Sequence, residues 1–436
     1  MQDERTLERT VLRKAAVRLL PLTLLMYFVA YVDRANVSVA ALQMNEDLQF
    51  SNTVYGLGAG VFFLGYFLFE VPSNLILARV GARRWLARIM FTWGLVTVAF
   101  VFVDNAVAFY VLRFLLGVAE AGLYPGIVLY LTYWFPARGM GRALSWFQLA
   151  APLSLAVSTP MLGALLGLDG FGGLAGWRWL FLVTAVPPLV LAFVVWRFLT
   201  DRPDQAKWLT GEERDWLLTT MERERNREGG RRRHTMRGSF TDRRIWLASA
   251  AFFAVLVSFG GVLNWLPQIV QALTGSGDFT TSLITAIPYA VACVALLLVG
   301  RHSDRTGERR WHAAVSYFVG TAGFLLSLYI EQPVIALFGL VLVISGIQSA
   351  IPGFWGLCST FVTGAATASA FALINSVGNL GGFVGPYLMG VLADSTGSQR
   401  AGLFVMSLFL LLGGVLIAIA GRGVRREPAS EPSDAA

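Results

Sequence analysis

The sequence predicts an all-α polytopic membrane protein with twelve transmembrane helices in two pseudo-symmetric six-helix halves. The first observation is composition: 56% of the 436 residues are hydrophobic and 14% are charged. A soluble protein with that balance would leave too much apolar surface in water. The second observation is that apolar runs of about 20 residues, the length that crosses a bilayer as a helix, recur along the chain.

The predicted spans are 17–42, 53–78, 85–104, 107–134, 141–167, 178–199, 245–272, 280–302, 311–330, 333–357, 361–392 and 401–421. Between the sixth and seventh spans, residues 200–244 are too polar to cross a membrane and too poor in apolar residues to form a core. The residues from Lys207 to Met221 predict a short surface helix there, with Thr210 as its N-cap ahead of Glu213. The predicted domains are therefore an N-terminal half 1–199, a cytoplasmic linker 200–244, and a C-terminal half 245–436 that ends in a short tail.

Arginine and lysine alternate between loops. The arginine-rich stretches are those before the first span, after the second, after the fourth, in the linker, after the eighth and after the twelfth, whereas 43–52, 105–106, 273–279 and 331–332 contain neither residue. Because basic residues stay on the cytoplasmic side, both termini and the linker are predicted to be cytoplasmic. The net charge of +8 thus reflects topology, and we expect no nucleic-acid partner.

An internal repeat supports the two halves. The loop GRHSDRTGERRW, residues 300–311, aligns without gaps with NLILARVGARRW, residues 74–85. Repeats of this kind place a binding site near the membrane midplane, between the halves.

Charged residues inside the spans mark the candidate site. Asp33 and Arg34 lie within the first span, where a mid-bilayer charge costs about 2.5–3.5 kcal/mol. Such residues indicate a substrate or ion pathway, or else an ion pair that orders the helices. Neighbours on a helix differ by about 100°, so these two are not expected to share a partner, and each must find one on another helix than its own. In the fourth span, Arg113 and Glu120 are almost two turns apart and share one face.

The residue types suggest roles in carrying an anion. Asp33 and Glu120 can exchange protons, which proton coupling requires. Arg34 is the predicted substrate anchor, because a guanidinium stays charged and its fork suits a carboxylate. Arg113 is assigned to coupling with Glu120, although it could also touch the anion.

Other polar residues are weaker candidates. The predicted substrate-binding set comprises Tyr31, Tyr66, Gln148, Trp265, Asn375 and Asn379 in addition to Arg34. Glu70, beside Pro72, is predicted to belong to a gate. The sequence contains no phosphate loop, nucleophile constellation or metal-ligand spacing, so it predicts no cofactor, no metal and no enzyme activity.

The GRHSDRTGERR loop resembles the G-x-x-x-D-R-x-G-R-[RK] signature of the major facilitator superfamily. The stretches YVDRANVSVA, GYFLFEVPSNL and INSVGNLGGFVGPYLMG are similar to the anion:cation symporter family and its bacterial tartrate, phthalate and sugar-acid permeases. The resemblance implies the major facilitator fold, alternating access, a bacterial inner membrane, and symport of a small organic anion with protons by a monomer. It also implies proton coupling and anion binding at the charged positions of the first and fourth spans.

One position departs from the family pattern, since Ala78 stands where the first-half signature usually has Asp. Asp304 and Arg305 of the second half are therefore the predicted cytoplasmic gate. Alternatives are a proton-driven drug or metabolite exporter, an uncoupled facilitator, and sodium coupling. The fifth span, LSWFQLAAPLSLAVSTPMLGALLG, lacks the Gly-Pro-rich antiporter signature, and Arg34 favours an anion. The sequence does not select one carboxylate.

Overall fold

The computed structural model describes residues 2–230, 242–330, 332–361 and 365–422. Its helices are α1 (Gln2–Asp47), α2 (Asn52–Val80), α3 (Ala82–Ala99), α4 (Ala106–Glu120), α5 (Leu123–Leu131), α6 (Ala137–Leu166), α7 (Gly176–Phe198), α8 (Gly211–Gly230), α9 (Arg243–Thr274), α10 (Asp278–Thr306), α11 (Arg310–Tyr329), α12 (Pro333–Cys358), α13 (Ala365–Thr396) and α14 (Gln399–Ala420). The arginine-rich part of the linker, 231–241, and the arginines of the tail after residue 422 lie outside the described residues.

Eleven of the described stretches are long and apolar enough to cross a membrane, and they correspond to eleven of the twelve predicted spans. The predicted eleventh span is α13, which has 32 residues and is also long enough. Its composition is less apolar because it carries Asn375, Asn379 and several glycines. This helix lies between α2, α9 and α14, so protein rather than lipid covers much of its surface.

The fourth span is not the single helix that the sequence predicts over 107–134. It breaks after Glu120 and resumes at Leu123, and the connecting Gly122 has a positive φ of 88°. Glycine is required there because the left-handed conformation disfavours other residues. A Cβ atom at this position would also overlap the hydroxyl of Ser73 on α2.

The helix predicted in the linker is present as α8. The backbone N–H of Glu213 donates to Thr210 Oγ1 at 3.3 Å, and the Glu213 carboxylate accepts from the Thr210 N–H at 2.9 Å. This reciprocal pair is a capping box. Lys14 on α1 donates to Glu213 Oε1 at 2.6 Å, so α8 is attached to the first helix of the bundle.

The two halves meet along α2 and α13 and along α6 and α10. Glycines allow the backbones of α2 and α13 to touch. A Cβ atom on Gly60 would lie 2.6 Å from the Phe383 carbonyl oxygen, and one on Gly56 would overlap the carbonyl oxygen of Pro386. We call this contact the glycine seam.

The bundle has an arginine-rich end, where α2 ends and α8 lies, and an opposite arginine-poor end, where α2 begins. Hydrogen bonds join the halves at the arginine-poor end: Gln43 donates to Asp278 at 2.8 Å, and the Tyr55 hydroxyl donates to the Asn264 carbonyl oxygen at 2.7 Å. Asp394 adds a third contact to the start of α2. The structure is therefore closed at its arginine-poor end.

Candidate functional site

Asp33 is buried at the centre of the first half and faces α3. Its Oδ1 atom accepts hydrogen bonds from Asn36 Nδ2 at 2.9 Å and from Thr97 Oγ1 at 3.1 Å. Oδ2 has no hydrogen-bond partner among the described residues. Only 2% of the residue is exposed, so the protein provides polar contacts to one carboxylate oxygen of Asp33 and leaves the other buried without a hydrogen bond to the described residues.

Arg34 lies about 100° further round α1 than Asp33 and pairs with Glu120 on α4. Its Nε atom lies 3.7 Å from Glu120 Oε2, and its side chain is 21% exposed whereas that of Glu120 is 1% exposed. The guanidinium carbon lies 5.1 Å, 5.7 Å and 5.6 Å from the ring centroids of Tyr31, Phe62 and Tyr66. Three aromatic rings thus hold one cation that keeps an accessible edge.

Glu120 is the last residue of α4, directly before the break at Gly122. Neither of its carboxylate oxygens has a hydrogen-bond partner in the described ranges. The ion pair with Arg34 is therefore the main interaction that offsets the cost of burying the Glu120 charge. Because Arg34 is partly exposed, it can also pair with an anion other than Glu120.

Arg113 has no ion pair with Glu120 among the described residues, and its assigned role in coupling stays a prediction. Its Nε and Nη2 atoms donate instead to the backbone carbonyl oxygens of Gly58 and Ala59, at 3.2 Å and 3.1 Å. The small residues of α2 leave these carbonyls within reach. Arg113 still belongs to the same electrostatic cluster, because Asp33 and Glu120 are both among the charges that act on it.

Two of the remaining first-half candidates contact Arg34, and the third lies on α6. Tyr31 and Tyr66 are two of the three rings that contact the guanidinium, and the Tyr31 hydroxyl accepts a hydrogen bond from Tyr27 at 3.4 Å. Gln148 on α6 is half-buried. It follows Phe147, whose ring lies 5.6 Å from that of Tyr27.

The structure brings three predicted residues from opposite halves into one contact. Asn375 Nδ2 donates to Glu70 Oε1 at 2.9 Å, and Asn379 Nδ2 donates to Glu70 Oε2 at 3.3 Å. Glu70 lies about two-thirds of the way along α2 from the arginine-poor end. The predicted gate residue and the two predicted ligands of α13 thus bind one another.

Trp265 lies in the contact between the halves near the arginine-poor end. It is fully buried, its indole N–H donates to the Pro386 carbonyl oxygen at 3.3 Å, and its ring stands edge-on to Tyr55 at 5.2 Å. In this conformation Trp265 supports the closed arginine-poor end. Its proposed contact with substrate stays a prediction.

Asp304 forms an ion pair with Arg309, which lies in the loop that follows it in the same half. Arg305 is exposed in the last turn of α10. This conformation thus pairs Asp304 inside its own loop. Whether these residues form the gate stays a prediction.

Three residues of the site were not identified from the sequence. Asn36 and Thr97 bind Asp33, and Asn36 also donates to Thr184 Oγ1 at 3.4 Å. Asn36 carried a signal, because a residue three positions after Asp33 lies on the same helix face. Thr97 and Thr184 carried none, since threonines are common in membrane helices and their proximity depends on packing between helices.

A cluster of buried carboxylates and guanidiniums inside membrane-spanning helices is typical of secondary transporters, and here it lies within the first half. The sequence model of the Major Facilitator Superfamily matches residues 23–386. The chain therefore belongs to the Major Facilitator Superfamily, as the sequence resemblance predicts.

Similar proteins agree with this class. A putative tartrate transporter of Agrobacterium vitis is 46% identical over 416 residues, which cover 95% of this chain and 92% of that protein. A quinolone resistance transporter of Acinetobacter baumannii is 39% identical over 420 residues, covering 96% and 97%. Among solved structures, a bacterial homologue of the lysosomal transporter Spinster superposes with a TM-score of 0.75 at 16% identity, over 92% of this chain and 96% of that one.

The chain is thus a multi-pass membrane transporter of small organic substrates and not an enzyme, as predicted. The predicted fold class is confirmed by the family match and the all-helical architecture.

Proposed function

We propose that this protein is a proton-coupled symporter that imports a small organic carboxylate by alternating access. The observation that carries the proposal is the arginine at the centre of the site: Arg34 is held by aromatic rings and Glu120, yet its side chain remains partly exposed. A planar, permanently charged guanidinium with free donors is suited to two-pronged binding of a carboxylate. The named tartrate relative supports a small carboxylate as the class of substrate.

Proton coupling follows from the charge balance of the cluster. Asp33, Arg34, Arg113 and Glu120 carry two negative and two positive charges when all are ionised. An incoming anion adds a negative charge in a poorly solvated place, and uptake of a proton by Glu120 or Asp33 restores neutrality. Arg34 connects the two events, since the same side chain contacts Glu120 and would contact the substrate.

The proposed orientation places the arginine-rich end in the cytoplasm of a bacterial cell, with both termini on that side of the inner membrane. The closed arginine-poor end then faces outward. We propose residues 1–199 and 245–436 as the two moving bodies, with 200–244 as the linker, and a monomer as the working unit. The remaining partners in this proposal are the lipid bilayer, protons and the anion.

Proteoliposomes test the proposal. Radiolabelled tartrate and other small carboxylates should accumulate when the outside is made acidic, and the accumulation should collapse on addition of a protonophore. An inward sodium gradient without a pH gradient should give equilibration only. Accumulation driven by sodium, or equal uptake with and without any gradient, would reject proton symport.

A second candidate is proton-driven export of an organic compound such as a quinolone, which the name of the Acinetobacter relative favours. The same vesicles decide between the two. A proton-driven exporter moves its substrate in the direction opposite to the flow of protons. Accumulation of a quinolone in vesicles with an acidic lumen, together with no uptake of carboxylate, would establish the exporter.

A further inference from the structure

Glu70 binds the opposite half with both of its carboxylate oxygens. Oε1 accepts from Asn375 and Oε2 accepts from Asn379, two residues one turn apart on α13. Two N–H donors directed at the two oxygens of one carboxylate form a receptor for a carboxylate group. In the described structure, the group that occupies this receptor belongs to the protein itself.

The amide pair lies close to the anchor along the cleft. Glu70 is one turn beyond Tyr66 on the same face of α2, and four residues of helix advance about 6 Å. The Tyr66 ring in turn lies 5.6 Å from the guanidinium of Arg34. The cleft therefore offers two places for a carboxylate, one at Arg34 and one at the amides about a helical turn further towards the arginine-rich end.

The charge of Glu70 is weakly compensated. The residue is 6% exposed, and no cation lies within ion-pair distance of it among the described residues. Its described hydrogen bonds come from two neutral amides. A carboxylate that is buried and bound only by neutral donors gains little free energy relative to the same group in water. Another carboxylate can therefore replace Glu70 at the two amides with a small cost in free energy.

We propose that the substrate is a compact diacid and that Glu70 occupies the place of its second carboxylate while the cleft is empty. This inference rests on the proposed function, because the first carboxylate is the one anchored by Arg34. The second carboxylate takes the amides of Asn375 and Asn379 and displaces Glu70. Displacement also removes two hydrogen bonds between the halves, so it loosens the cleft towards the arginine-rich end.

Calorimetric binding to the purified full-length protein tests this with two probes. Tartrate is the diacid, and glycerate is the monoacid that lacks one of its carboxylates. We expect tartrate to bind the parent more tightly than glycerate. Glu70→Ala should tighten tartrate binding roughly fivefold, because a competing hydrogen-bonded group is removed. The affinity of Glu70→Ala for glycerate should change by less than about twofold. Glu70→Gln keeps one carbonyl oxygen that can accept from the amides, so its affinity for tartrate should rise less than that of Glu70→Ala.

The variant Asn375→Ala/Asn379→Ala separates capture by the amides from simple loss of negative charge. In that background Glu70→Ala should no longer tighten tartrate binding. Glu46→Ala, which removes an exposed carboxylate at the arginine-poor end, is the matched control and should leave both affinities unchanged.

Three results would overturn the inference while leaving the proposed function intact. They are unchanged or weaker tartrate binding in Glu70→Ala, an equal gain for glycerate, and a gain that persists without the two amides. A parent that binds glycerate but not tartrate would do the same. A parent that binds neither acid and takes up no carboxylate would reject the proposed function itself.

Discussion

Asp394, in the last turn of α13, caps the first turn of α2 in the opposite half. Its Oδ2 atom accepts the backbone N–H of Thr53 at 2.7 Å, and its Oδ1 atom accepts the backbone N–H of Asn52 at 3.1 Å. The first N–H groups of a helix have no partner within the helix, and a carboxylate there also meets the positive end of the helix dipole. One side chain thus closes the arginine-poor end by completing a helix that belongs to the other half.

Asp394→Ala should therefore favour conformations that are open at the arginine-poor end. The loss of a helix cap is worth about 0.5–2 kcal/mol, which is a several-fold shift between two conformations. The measurement is alkylation of a cysteine introduced at Leu42, which is half-buried near the same end of the bundle. Asp104→Ala is the matched control, since Asp104 is exposed at the same end and accepts its described side-chain bond from its neighbour Asn105. Equal labelling of both variants would contradict the role of Asp394.

Arg34→Lys should abolish carboxylate binding while leaving the protein folded. A lysine keeps the charge but loses the planar fork of the guanidinium. It also packs less well against the three aromatic rings of Tyr31, Phe62 and Tyr66. Binding is measured by calorimetry and folding by size-exclusion chromatography. Arg79→Lys, at an exposed position of α2, should bind normally. Unchanged affinity in Arg34→Lys would remove this residue from the role of anchor.

Glu120→Gln and Asp33→Asn should retain counterflow but lose accumulation driven by a pH gradient. A neutral amide resembles the protonated acid and cannot release its proton. Asparagine at position 33 can still accept from Asn36 and Thr97 through its oxygen, so the fold should persist. Counterflow and pH-driven uptake are compared in the same proteoliposome preparation. If both variants still concentrate substrate, the coupling assignment is wrong.

Asp304→Asn should shift the population towards conformations open at the arginine-rich end, by about 1–3 kcal/mol for a charge-assisted contact. In the described structure Asp304 is paired within its own loop. The prediction therefore concerns the other conformation, which is closed at the arginine-rich end and in which Asp304 would contact the opposite half. Ala78→Asp should be nearly silent or favour closure modestly. Distance labelling between the ends of α2 and α10 reports the shift, and a distribution identical to the parent in Asp304→Asn would exclude this loop as the gate.

The contact between α1 and α8 should make thermal stability depend on pH. The hydrogen bond from Lys14 lowers the pKa of Glu213 below its ordinary 4.5. A lowered carboxyl pKa adds stability above the unfolded-state pKa, and this stability is lost as the pH falls through the folded-state pKa. The melting temperature of the parent should thus exceed that of Glu213→Gln at neutral pH, and the difference should shrink as the pH falls below 4.5 and vanish once it is below the lowered pKa of Glu213. A difference that is constant from pH 7 to pH 4 would contradict the charge pairing.

The sequence predicted most of the fold because membrane-spanning helices can be recognised by their length and apolar composition. It was less informative where helices break or touch. The break at Gly122 had local signals in Gly122 itself and in Pro125, but membrane helices tolerate both residues, so neither decides the matter. The end of α1 at Asp47 likewise extends beyond the apolar run, because backbone hydrogen bonds continue after the hydrophobicity stops.

Within the candidate site, the sequence could indicate which residues are unusual but not all of their partners. Asp33 and Arg34 differ in their direct bonds, as the rotation along a helix predicts, but the charge of Glu120 acts on both of them. The carbonyl partners of Arg113 depend instead on how closely α4 approaches the small residues of α2, which is a property of packing. The binding of Glu70 by Asn375 and Asn379 joins residues some 300 positions apart, and no local pattern contains it.

The glycine seam has a thermodynamic consequence. Backbone lies against backbone at Gly56 and Gly60, so parting α2 from α13 there uncovers little hydrocarbon. The heat capacity change of a transition scales with the apolar area that it exposes to water. The exchange between outward- and inward-facing forms should therefore have a small heat capacity change along this contact, and its equilibrium constant should follow a nearly straight van 't Hoff line. The enthalpy difference between the two forms would then be nearly the same at all growth temperatures.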